Sequence, residues 1–259
     1  MDPAPIVGVL LAFGAILGAM VMEGGNPAAI MQPPALVLIF VGTLSACTAS
    51  NTLPGAIGSF KWLIYGMTAK KVDTEGVIEP LVKMAEKARR EGLLALESEI
   101  ESVEDPFMKK ALQMAVDGTD PDDLYEILMA EVKSLKAAAT KGASFWNDGG
   151  GYAPTIGIIG TVLGLVHVLE NLSDPGKLGH LIAAAFIATL WGILSANVMF
   201  LPFGKRIKLV GMNEAARMEI IVDGVLAIQA GANPRVVATK LRSKIVADVP
   251  GGPVAKEAA

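Results

Sequence analysis

The chain has 259 residues, of which 52% are hydrophobic and only 19% are charged, whereas soluble proteins carry about 25% charged residues. This composition argues against an ordinary soluble domain and favours a membrane protein. The formal net charge of −4 gives no general attraction to nucleic acid, so DNA or RNA binding is not expected. The single cysteine, Cys47, lies in an apolar run and is expected to be a core residue.

Four uncharged segments predict membrane-spanning helices. At about 1.5 Å per residue, the first segment, Ala4 to Met22, is long enough to cross the roughly 30 Å hydrocarbon core of a bilayer. The other three are Pro34 to Ile57, Ala153 to Val168 and Leu181 to Phe203. The first basic residue is Lys61, so the first segment lacks the basic start of a cleaved signal peptide and is expected to remain.

Basic residues near the segment ends predict the orientation of the chain, because the cytoplasmic flanks of membrane helices are enriched in Lys and Arg. The two short loops 23–33 and 169–180 together contain one Lys or Arg residue, Lys177. The flanks on the other side hold Lys61, Lys70, Lys71, Lys141, Lys205, Arg206 and Lys208. We therefore expect the long middle segment and both termini to be cytoplasmic.

The middle segment, about Ser59 to Gly151, is too long for a simple connector, so we expect it to fold. Capping residues and helical periodicity predict further helices, and no strand pattern competes with them. These helices are expected to begin after Asp73 and Thr74, near Pro106, after Asp120, at Lys205 and at Asn233. The predicted fold class is all-α, a polytopic membrane protein with four transmembrane helices and a helical cytoplasmic domain.

The predicted organisation follows from these segments. Transmembrane helices one and two occupy residues 1–58, the cytoplasmic helical domain occupies 59–151, and transmembrane helices three and four occupy 152–204. Cytoplasmic C-terminal helices occupy 205–248. The last residues, 249–259, are rich in small and polar side chains and are expected to be disordered.

Ionisable groups in the middle of a membrane segment normally mark an ion pathway, and this chain supplies no carboxylate there. His167 lies near the outer end of the third segment, and Glu170 lies just beyond it. His167 and His180 have no nucleophile or ligand cluster around them, so an enzyme is the least expected class, and no metal or cofactor is expected. A self-sufficient ion pump is not expected either.

Two segments nevertheless carry a stripe of small and polar residues at helical spacing. The stripes are Gly157, Gly160, Thr161 and Gly164 in the third segment, and Ala185, Thr189, Gly192 and Ala196 in the fourth. Such stripes permit close contact between helices, and a threonine hydroxyl can bind a backbone carbonyl or a passing ion. Two interpretations stay open: the stripes only pack, or they line a path that a helix of another chain completes by supplying a carboxylate.

Two prolines flank these stripes. Pro154 is expected in the first turn of the third helix, where the missing N–H costs nothing. Pro202 lies near the end of the fourth segment, within a helix that continues, where it removes a backbone hydrogen bond and is expected to bend the helix. This bend is a candidate hinge between the membrane and the cytoplasm.

Residues 149–203 read GGGYAPTIGIIGTVLGLVHVLENLSDPGKLGHLIAAAFIATLWGILSANVMFLPF. This run resembles the last two spans of the flagellar stator subunits in the MotA/TolQ/ExbB proton channel family, and the resemblance extends over nearly the whole chain. It implies an ion-conducting subunit of the bacterial inner membrane that converts ion flow into torque on the flagellar rotor and so drives motility. It further implies a homopentamer around a dimer of a MotB-like partner, whose transmembrane aspartate carries the ion.

The resemblance also implies roles for single residues. Pro154 and Pro202 match two prolines near the channel, and Thr161 and Thr189 match hydroxyl positions that face the carboxylate of the partner. Ala188 stands where sodium-type relatives often place an additional threonine. Protons are therefore favoured as the transported ion, with sodium as the alternative.

A second matching stretch is ARREGLLALESEIE, which resembles the part of these stator subunits that contacts the rotor switch protein through an arginine and a glutamate. Alignment on Gly92 selects Arg89 and Glu97. The 3.6-residue period selects Arg90 instead, because in an unbroken helix Arg90 and Glu97 project within about 20° of each other. All three are candidates for the rotor contact, and a solvated charged face is the alternative.

Three rival functions stay open. A TolQ- or ExbB-type energiser of an envelope process belongs to the same family, but such proteins typically have three spans, and this chain has the additional run Ala4 to Met22. A membrane scaffold would use the two stripes for packing only. A transporter would be expected to show binding groups or broken helices of its own at mid-membrane, and the sequence shows neither.

Overall fold

The computed structural model describes residues 2–70 and 72–245, and within them the secondary structure is helical, with no strand. The predicted all-α class is confirmed. The predicted disordered tail, 249–259, lies outside the described residues. The helices are α1 Ala4–Met22, α2 Pro33–Ala49, α3 Leu53–Thr68, α4 Ile78–Glu91, α5 Glu97–Ile100, α6 Pro106–Val116, α7 Pro121–Glu170, α8 Pro175–Ser195, α9 Leu201–Gln229 and α10 Pro234–Arg242.

The chain forms two compact units. The first unit comprises the described residues of 1–70 and 138–210, and the second comprises those of 71–137 and 211–259. Within the described ranges, three helical stretches are long and apolar enough to cross a membrane: Ala4–Met22, Pro121–Glu170 and Pro175–Gln229. The predicted segment limits at 58, 151 and 204 concern the membrane boundary and stay predictions.

The predicted single helix from Pro34 to Ile57 is wrong. α2 ends at Ala49, and Thr52 caps the start of α3 by accepting a hydrogen bond from the amide of Gly55 at 3.2 Å. A cap acts through one side chain and a few backbone groups, so an uncharged run does not reveal the break. Because α2 is a shorter apolar helix of 17 residues, the count of four spans stays a prediction.

α7 is one continuous helix of 50 residues. The predicted start after Asp120 is confirmed, but the expected new helix at Ala153 is wrong, because the helix does not stop at the glycine run 149–151. Gly149 packs so closely on Phe200 that an added Cβ atom would lie 2.9 Å from the ring. This packing stabilises a stretch of helix that three glycines alone would weaken.

Both prolines sit in helical backbone. Pro154 lies inside α7, so its predicted place in a first turn is wrong, and it removes the hydrogen bond to the carbonyl of Gly150. Before Pro202 the backbone widens into the five-residue π-helical segment Ala196–Phe200. A π segment is one of the usual ways in which a helix accommodates a missing or displaced hydrogen bond.

Buried aromatic rings organise the first unit. The indole N–H of Trp146 donates a hydrogen bond to the carbonyl oxygen of Ser59 at 3.0 Å, and that of Trp191 donates to Ile30 at 2.7 Å. Both indoles are buried, and a buried tryptophan N–H requires such a partner. Cys47 is fully buried as well, which confirms its prediction as a core residue.

The second unit has a hydrophobic core of its own, formed by α4, α6, α9, α10 and the first part of α7. Its fully buried side chains include Leu81, Leu112, Leu124, Leu128 and Ile221. Burial of these side chains against one another stabilises the packing of the helices in this unit.

Side-chain caps start two helices of the second unit. Asp105 and Asn233 accept hydrogen bonds from amides inside α6 and α10, which confirms the predicted starts. The predicted cap at Asp73 is wrong. Asp73 instead accepts a hydrogen bond from the amide of Gly76 at 2.8 Å, in the turn that precedes α4.

An ion-pair cluster ties the start of α6 to α9. Arg217 binds Asp105 and also binds Glu214, whose carboxylate lies 2.5 Å from the guanidinium. Burial alone would lower the pKa of Arg217, but the bonds to Glu214 and Asp105 outweigh burial and hold the pKa above its usual value. The arginine therefore stays charged, and Asp105 serves both as a cap and as an ion-pair partner.

We expect Leu81→Ala to lower the free energy of unfolding by about 2–5 kcal/mol, since the side chain is fully buried and its truncation leaves a cavity. Leu94→Ala is the matched control, because Leu94 is 74% exposed and its truncation should change stability by less than about 0.5 kcal/mol. Chemical unfolding of the detergent-solubilised chain, followed by circular dichroism, checks both. Equal destabilisation by the two changes would contradict this core.

Candidate functional site

The two predicted stripes face each other in the first unit, along an antiparallel contact between α7 and α8. Gly160 and Gly164 lie so close to α8 that an added Cβ atom would come within 2.6 Å of Ala188 and Ala185, respectively. Only glycine permits this approach, because any side chain would push the helices apart. The packing interpretation is therefore confirmed for the glycines of α7.

The two threonines of the stripes meet at this contact. The hydroxyl groups of Thr161 and Thr189 form a hydrogen bond with each other. Thr161 also lies 3.2 Å from the carbonyl oxygens of Gly157 and Ala185, and Thr189 lies 3.1 Å from that of Gly157. Four oxygen atoms are thus gathered at one point between two apolar helices. We call Thr161 and Thr189 the threonine pair.

The threonine pair lies at the surface of the first unit rather than in its core. Both threonines are half-buried. Their neighbours one turn away on the same helix faces are exposed: Ile158 by 58%, Phe186 by 59% and Ile193 by 51%. The pair is therefore a polar point on an open apolar face, accessible to another helix.

The two site prolines lie at one end of the α7–α8 contact, since the helices are antiparallel. Pro154 precedes Thr161 by two turns on the same face of α7, and Pro202 follows the π-helical segment at the start of α9. The helical residues 153–169 and 181–203 contain no carboxylate. These spans therefore provide hydroxyl and carbonyl oxygens but no carboxylate, and their one titratable side chain, His167, lies near the end of α7.

The two histidines of the chain lie at the surface. His167 is exposed and lies 3.4 Å from Glu170, and His180 is exposed as well. Within residues 2–70 and 72–245, no group of three or more His, Cys, Asp or Glu side chains is arranged to hold a metal ion.

Arg89, Arg90 and Glu97 lie at a sharp turn of the second unit. α4 ends at Glu91, and Gly92 has a φ of +87°, a left-handed conformation that glycine adopts readily. The unbroken helix assumed for the 20° separation is therefore wrong. All three side chains are exposed, and none of them forms an ion pair within the described part of the chain.

A groove of about 800 Å³ runs beside this turn, between α4 and the segment that contains α5. Arg90 lines the groove, whereas Arg89 and Glu97 do not. The ion pair between Lys87 and Glu99, 2.8 Å long, joins its two sides. The other charged lining residues are Glu79, Lys83, Glu86, Glu91, Glu104 and Asp105. We call this feature the α4–α5 groove.

The ion pair of Lys87 and Glu99 is not evident from the sequence. The two residues lie on different helices, and the turn at Gly92 brings them together, so no helical spacing relates them. The glycine was the available signal, because a glycine after a helix with basic residues in its last turn is typical of a helix end.

Two family models match the chain. The model of the MotA/TolQ/ExbB proton channel family matches residues 99–220, and the model of the motility protein A N-terminal region matches residues 6–92. Motility protein A of Bacillus subtilis (strain 168) is 36% identical over 244 residues, which cover 93% of this chain and 90% of the relative. The chain belongs to the motility protein A family. This confirms the resemblance seen in residues 149–203.

Further motility relatives and solved structures extend over nearly the full length. Chemotaxis protein PomA of Vibrio alginolyticus is 32% identical over 243 residues, covering 94% of this chain and 95% of the relative. The structure of C. jejuni MotAB has a TM-score of 0.92 at 31% identity and covers 96% of this chain and 98% of the matched chain. The flagellar MotAB stator complex from Bacillus subtilis has a TM-score of 0.89 at 34% identity and covers 100% of both.

Membership of the motility protein A family and the long apolar helices together make this chain an inner-membrane protein. The threonine pair lies in two of the helical stretches that are long enough to cross the bilayer. Its oxygens therefore meet an apolar environment, in which hydrogen-bonding partners are scarce.

Gly164→Ala is expected to weaken the packing of α7 on α8. The added methyl group would lie 2.6 Å from Cβ and 2.8 Å from the backbone Cα of Ala185, so the helices must separate, at a cost of about 1–3 kcal/mol. Gly14→Ala on α1 is the matched control, since an added Cβ atom there meets nothing within 4 Å. The thermal unfolding temperatures of the purified variants check this, and an equal loss in both would contradict the tight contact.

Proposed function

We propose that this flagellar stator subunit forms one side of an ion path and borrows the ion-binding carboxylate from a MotB-like partner. The ion passes Thr161 and Thr189 and neutralises that carboxylate. The change of charge alters the favoured contact between the partner and this chain. Repeated changes turn the chain around the partner, and the rotation delivers torque to the flagellar rotor.

The observation that carries the proposal is the threonine pair on an open apolar face. Thr161 and Thr189 present oxygen atoms there, and residues 153–169 and 181–203 add no carboxylate. A charged group in hydrocarbon is costly unless it has a partner. A carboxylate placed against the pair would accept hydrogen bonds from the hydroxyl groups in place of those that they now donate to backbone carbonyls, and it becomes neutral when an ion binds.

The proposed assembly is a homopentamer around a partner dimer that supplies the transmembrane aspartate. The similarity to the C. jejuni MotAB structure and to the Bacillus subtilis stator complex supports it. Within one chain, the glycines of α7 are already used against α8. The partner helix therefore meets the apolar face around the threonine pair, where Ile158, Phe186 and Ile193 are exposed.

Pro154 and Pro202 are proposed to let one end of the α7–α8 pair bend. Pro154 removes a backbone hydrogen bond in α7, which carries Thr161, and Pro202 removes one in the helical stretch Pro175–Gln229, which carries Thr189. The π-helical segment Ala196–Phe200 adds a second irregular stretch on one of the two helices. Bending at this end can follow the charge of the partner's carboxylate while the glycine contact keeps the other part of the pair fixed.

The proposed topology places both termini in the cytoplasm. The uneven distribution of Lys and Arg supports it. The ion pair between Asp2 and Arg206, 2.8 Å long, supports it as well, because it joins the start of α1 to the start of α9. An even number of crossings between these two points is required for them to meet.

The proposed rotor contact is the charged turn formed by Arg89, Arg90 and Glu97, which faces the rotor switch protein. Exposed ion pairs contribute under about 1 kcal/mol each, so such contacts form and break rapidly, as a turning rotor requires. Arg90 is the stronger candidate of the two arginines, because it also lines the α4–α5 groove.

The proposed ion is the proton, with sodium as the alternative. Ala188 supplies no hydroxyl group where sodium-type relatives often place a threonine, so one oxygen ligand fewer is available to sodium. We propose no cofactor and no enzymatic activity. A TolQ- or ExbB-type energiser is not favoured, because the motility-specific model matches residues 6–92 and the relatives are motility proteins.

Thr189→Val and Thr161→Val are each expected to abolish most swimming in cells that depend on this chain. Each variant loses a hydroxyl group that faces the partner's carboxylate. The loss of one hydrogen bond between membrane helices costs only about 0.6 kcal/mol, so both variants still fold and insert. Swimming speed, with the membrane level measured by immunoblot, checks the prediction.

Thr48→Val on α2 is the matched control, since the Thr48 hydroxyl donates to the carbonyl of Leu44 in its own helix at 2.7 Å. This variant should swim normally. Normal swimming of Thr161→Val and Thr189→Val at normal membrane levels would contradict the proposed ion path. The swimming speed of cells with the unchanged chain distinguishes protons from sodium. A speed that rises with the sodium concentration of the medium would indicate sodium, and a speed independent of sodium would indicate protons.

Arg90→Glu is expected to slow swimming more than Arg89→Glu does, because Arg90 lines the α4–α5 groove and Arg89 does not. Loss of one exposed ion pair changes a contact equilibrium by up to about fivefold. Ion conduction, measured as acidification of cells that overproduce the complex, should stay unchanged in both variants. A larger effect of Arg89→Glu would assign the contact to the residue selected by alignment on Gly92.

A further inference from the structure

Arg206 joins three segments at one end of the first unit. Its Nη1 atom lies 2.8 Å from a carboxylate oxygen of Asp2, which precedes α1. Its Nε–H group donates a hydrogen bond at 3.1 Å to the carbonyl oxygen of Gly66, near the end of α3. The side chains of Arg206 and Asp2 are 17% and 32% exposed, so water screens the ion pair only partly.

Local contacts hold Asp2 and Gly66, the two partners of Arg206, in position. An added Cβ atom on Gly66 would lie 3.3 Å from the side chain of Ile207, so α3 and α9 approach closely at this point. The second carboxylate oxygen of Asp2 accepts a hydrogen bond from the amide of Ala4 at 3.1 Å. This bond, helped by Arg206, keeps the pKa of Asp2 below its ordinary value against the opposing effect of burial.

Apart from the contact at Asp2, α1 packs mainly through its second half, where Phe13, Ile16, Leu17 and Met20 lie partly buried against a hydrophobic cluster of the first unit. None of its described side chains is buried, and an apolar helix in lipid gains nothing from the hydrophobic effect when it packs on another helix. It packs against the π-helical segment Ala196–Phe200, and Phe13 contacts the ring of Trp191. α1 therefore lies beside the irregular backbone that precedes Pro202.

We propose that Asp2 and Arg206 form a clamp that positions the bend at Pro202, by fixing the ends of α1 and α3 to the start of α9. Arg206 lies one turn after Pro202, so a bend at the proline carries the guanidinium with it. With the clamp closed, α1 and α3 move together with α9. With the clamp open, α9 bends alone. The inference rests on the proposed role of Pro202, and it gives Arg206 the role of a positioning residue.

The first test is a double-mutant cycle in the full stator complex in cells. Asp2→Asn keeps the size of the side chain and removes its charge, and Arg206→Gln removes the charge of the other partner. Each single variant should swim more slowly at an unchanged membrane level. The double variant should be no slower than Arg206→Gln alone, because Asp2→Asn removes nothing more once the guanidinium is absent.

Two further variants separate the clamp from a general effect of charge. Asp2→Glu keeps a carboxylate and should retain the speed that Asp2→Asn loses. Lys208→Gln removes an exposed basic residue from the same helix and should swim normally. Additive losses in the double variant, or an equal loss in Lys208→Gln, would overturn the clamp.

Hydrogen exchange in the purified complex tests the clamp without motility. Amides at the start of α1, such as Val7, which bonds to the carbonyl of Pro3, should exchange faster in Asp2→Asn and Arg206→Gln than in the unchanged protein. Unaltered exchange would overturn the clamp. Faster exchange in a chain that supports no swimming at all would instead overturn the proposed function and leave the clamp standing.

Discussion

The close approach of α7 and α8 is the constraint on which the candidate ion path depends. Gly157, Gly160 and Gly164 remove the side chains that would keep the helices apart, and the hydroxyl groups of Thr161 and Thr189 can then bond across the contact. Apolar surfaces in lipid gain little by meeting each other, so small-residue packing and hydrogen bonds provide most of the association. The same contact therefore stabilises the helix pair and brings the two threonine hydroxyl groups together.

The irregular backbone lies at one end of this contact. Pro154 interrupts the hydrogen bonding of α7, and the segment Ala196–Phe200 with Pro202 interrupts it in the opposite helix. Along the same two helices, the tightly packed part at the glycines is therefore followed by a part with irregular backbone. The ion pair of Asp2 and Arg206 adds a polar contact at the adaptable end, where α1 has little packing of its own. The proposed bending would carry a change of charge at the threonine pair to this end of the helices.

Features that depend on neighbouring residues were predictable from the sequence, and features that depend on distant residues were not. Uncharged length predicted α1 and α8, and Pro106 predicted the start of α6, because both signals lie within the helix itself. α7 continues past residue 151, where Gly149 packs on Phe200, a contact with a distant residue that the local sequence does not reveal. The stripes located Thr161 and Thr189 on their helix faces. Their hydrogen bond depends on how each helix is oriented about its axis relative to the other, and a helical period does not specify this orientation.

Cys47 is the one cysteine of the chain, and its side chain is fully buried in the first unit. A thiol shielded in this way reacts poorly with maleimides from the aqueous phase, because labelling requires an accessible thiolate. The natural sequence can therefore serve unchanged as a background for site-directed labelling. A cysteine introduced at an exposed position such as Leu94 would carry the fluorophore alone and would report the movement of the subunit within the assembled motor.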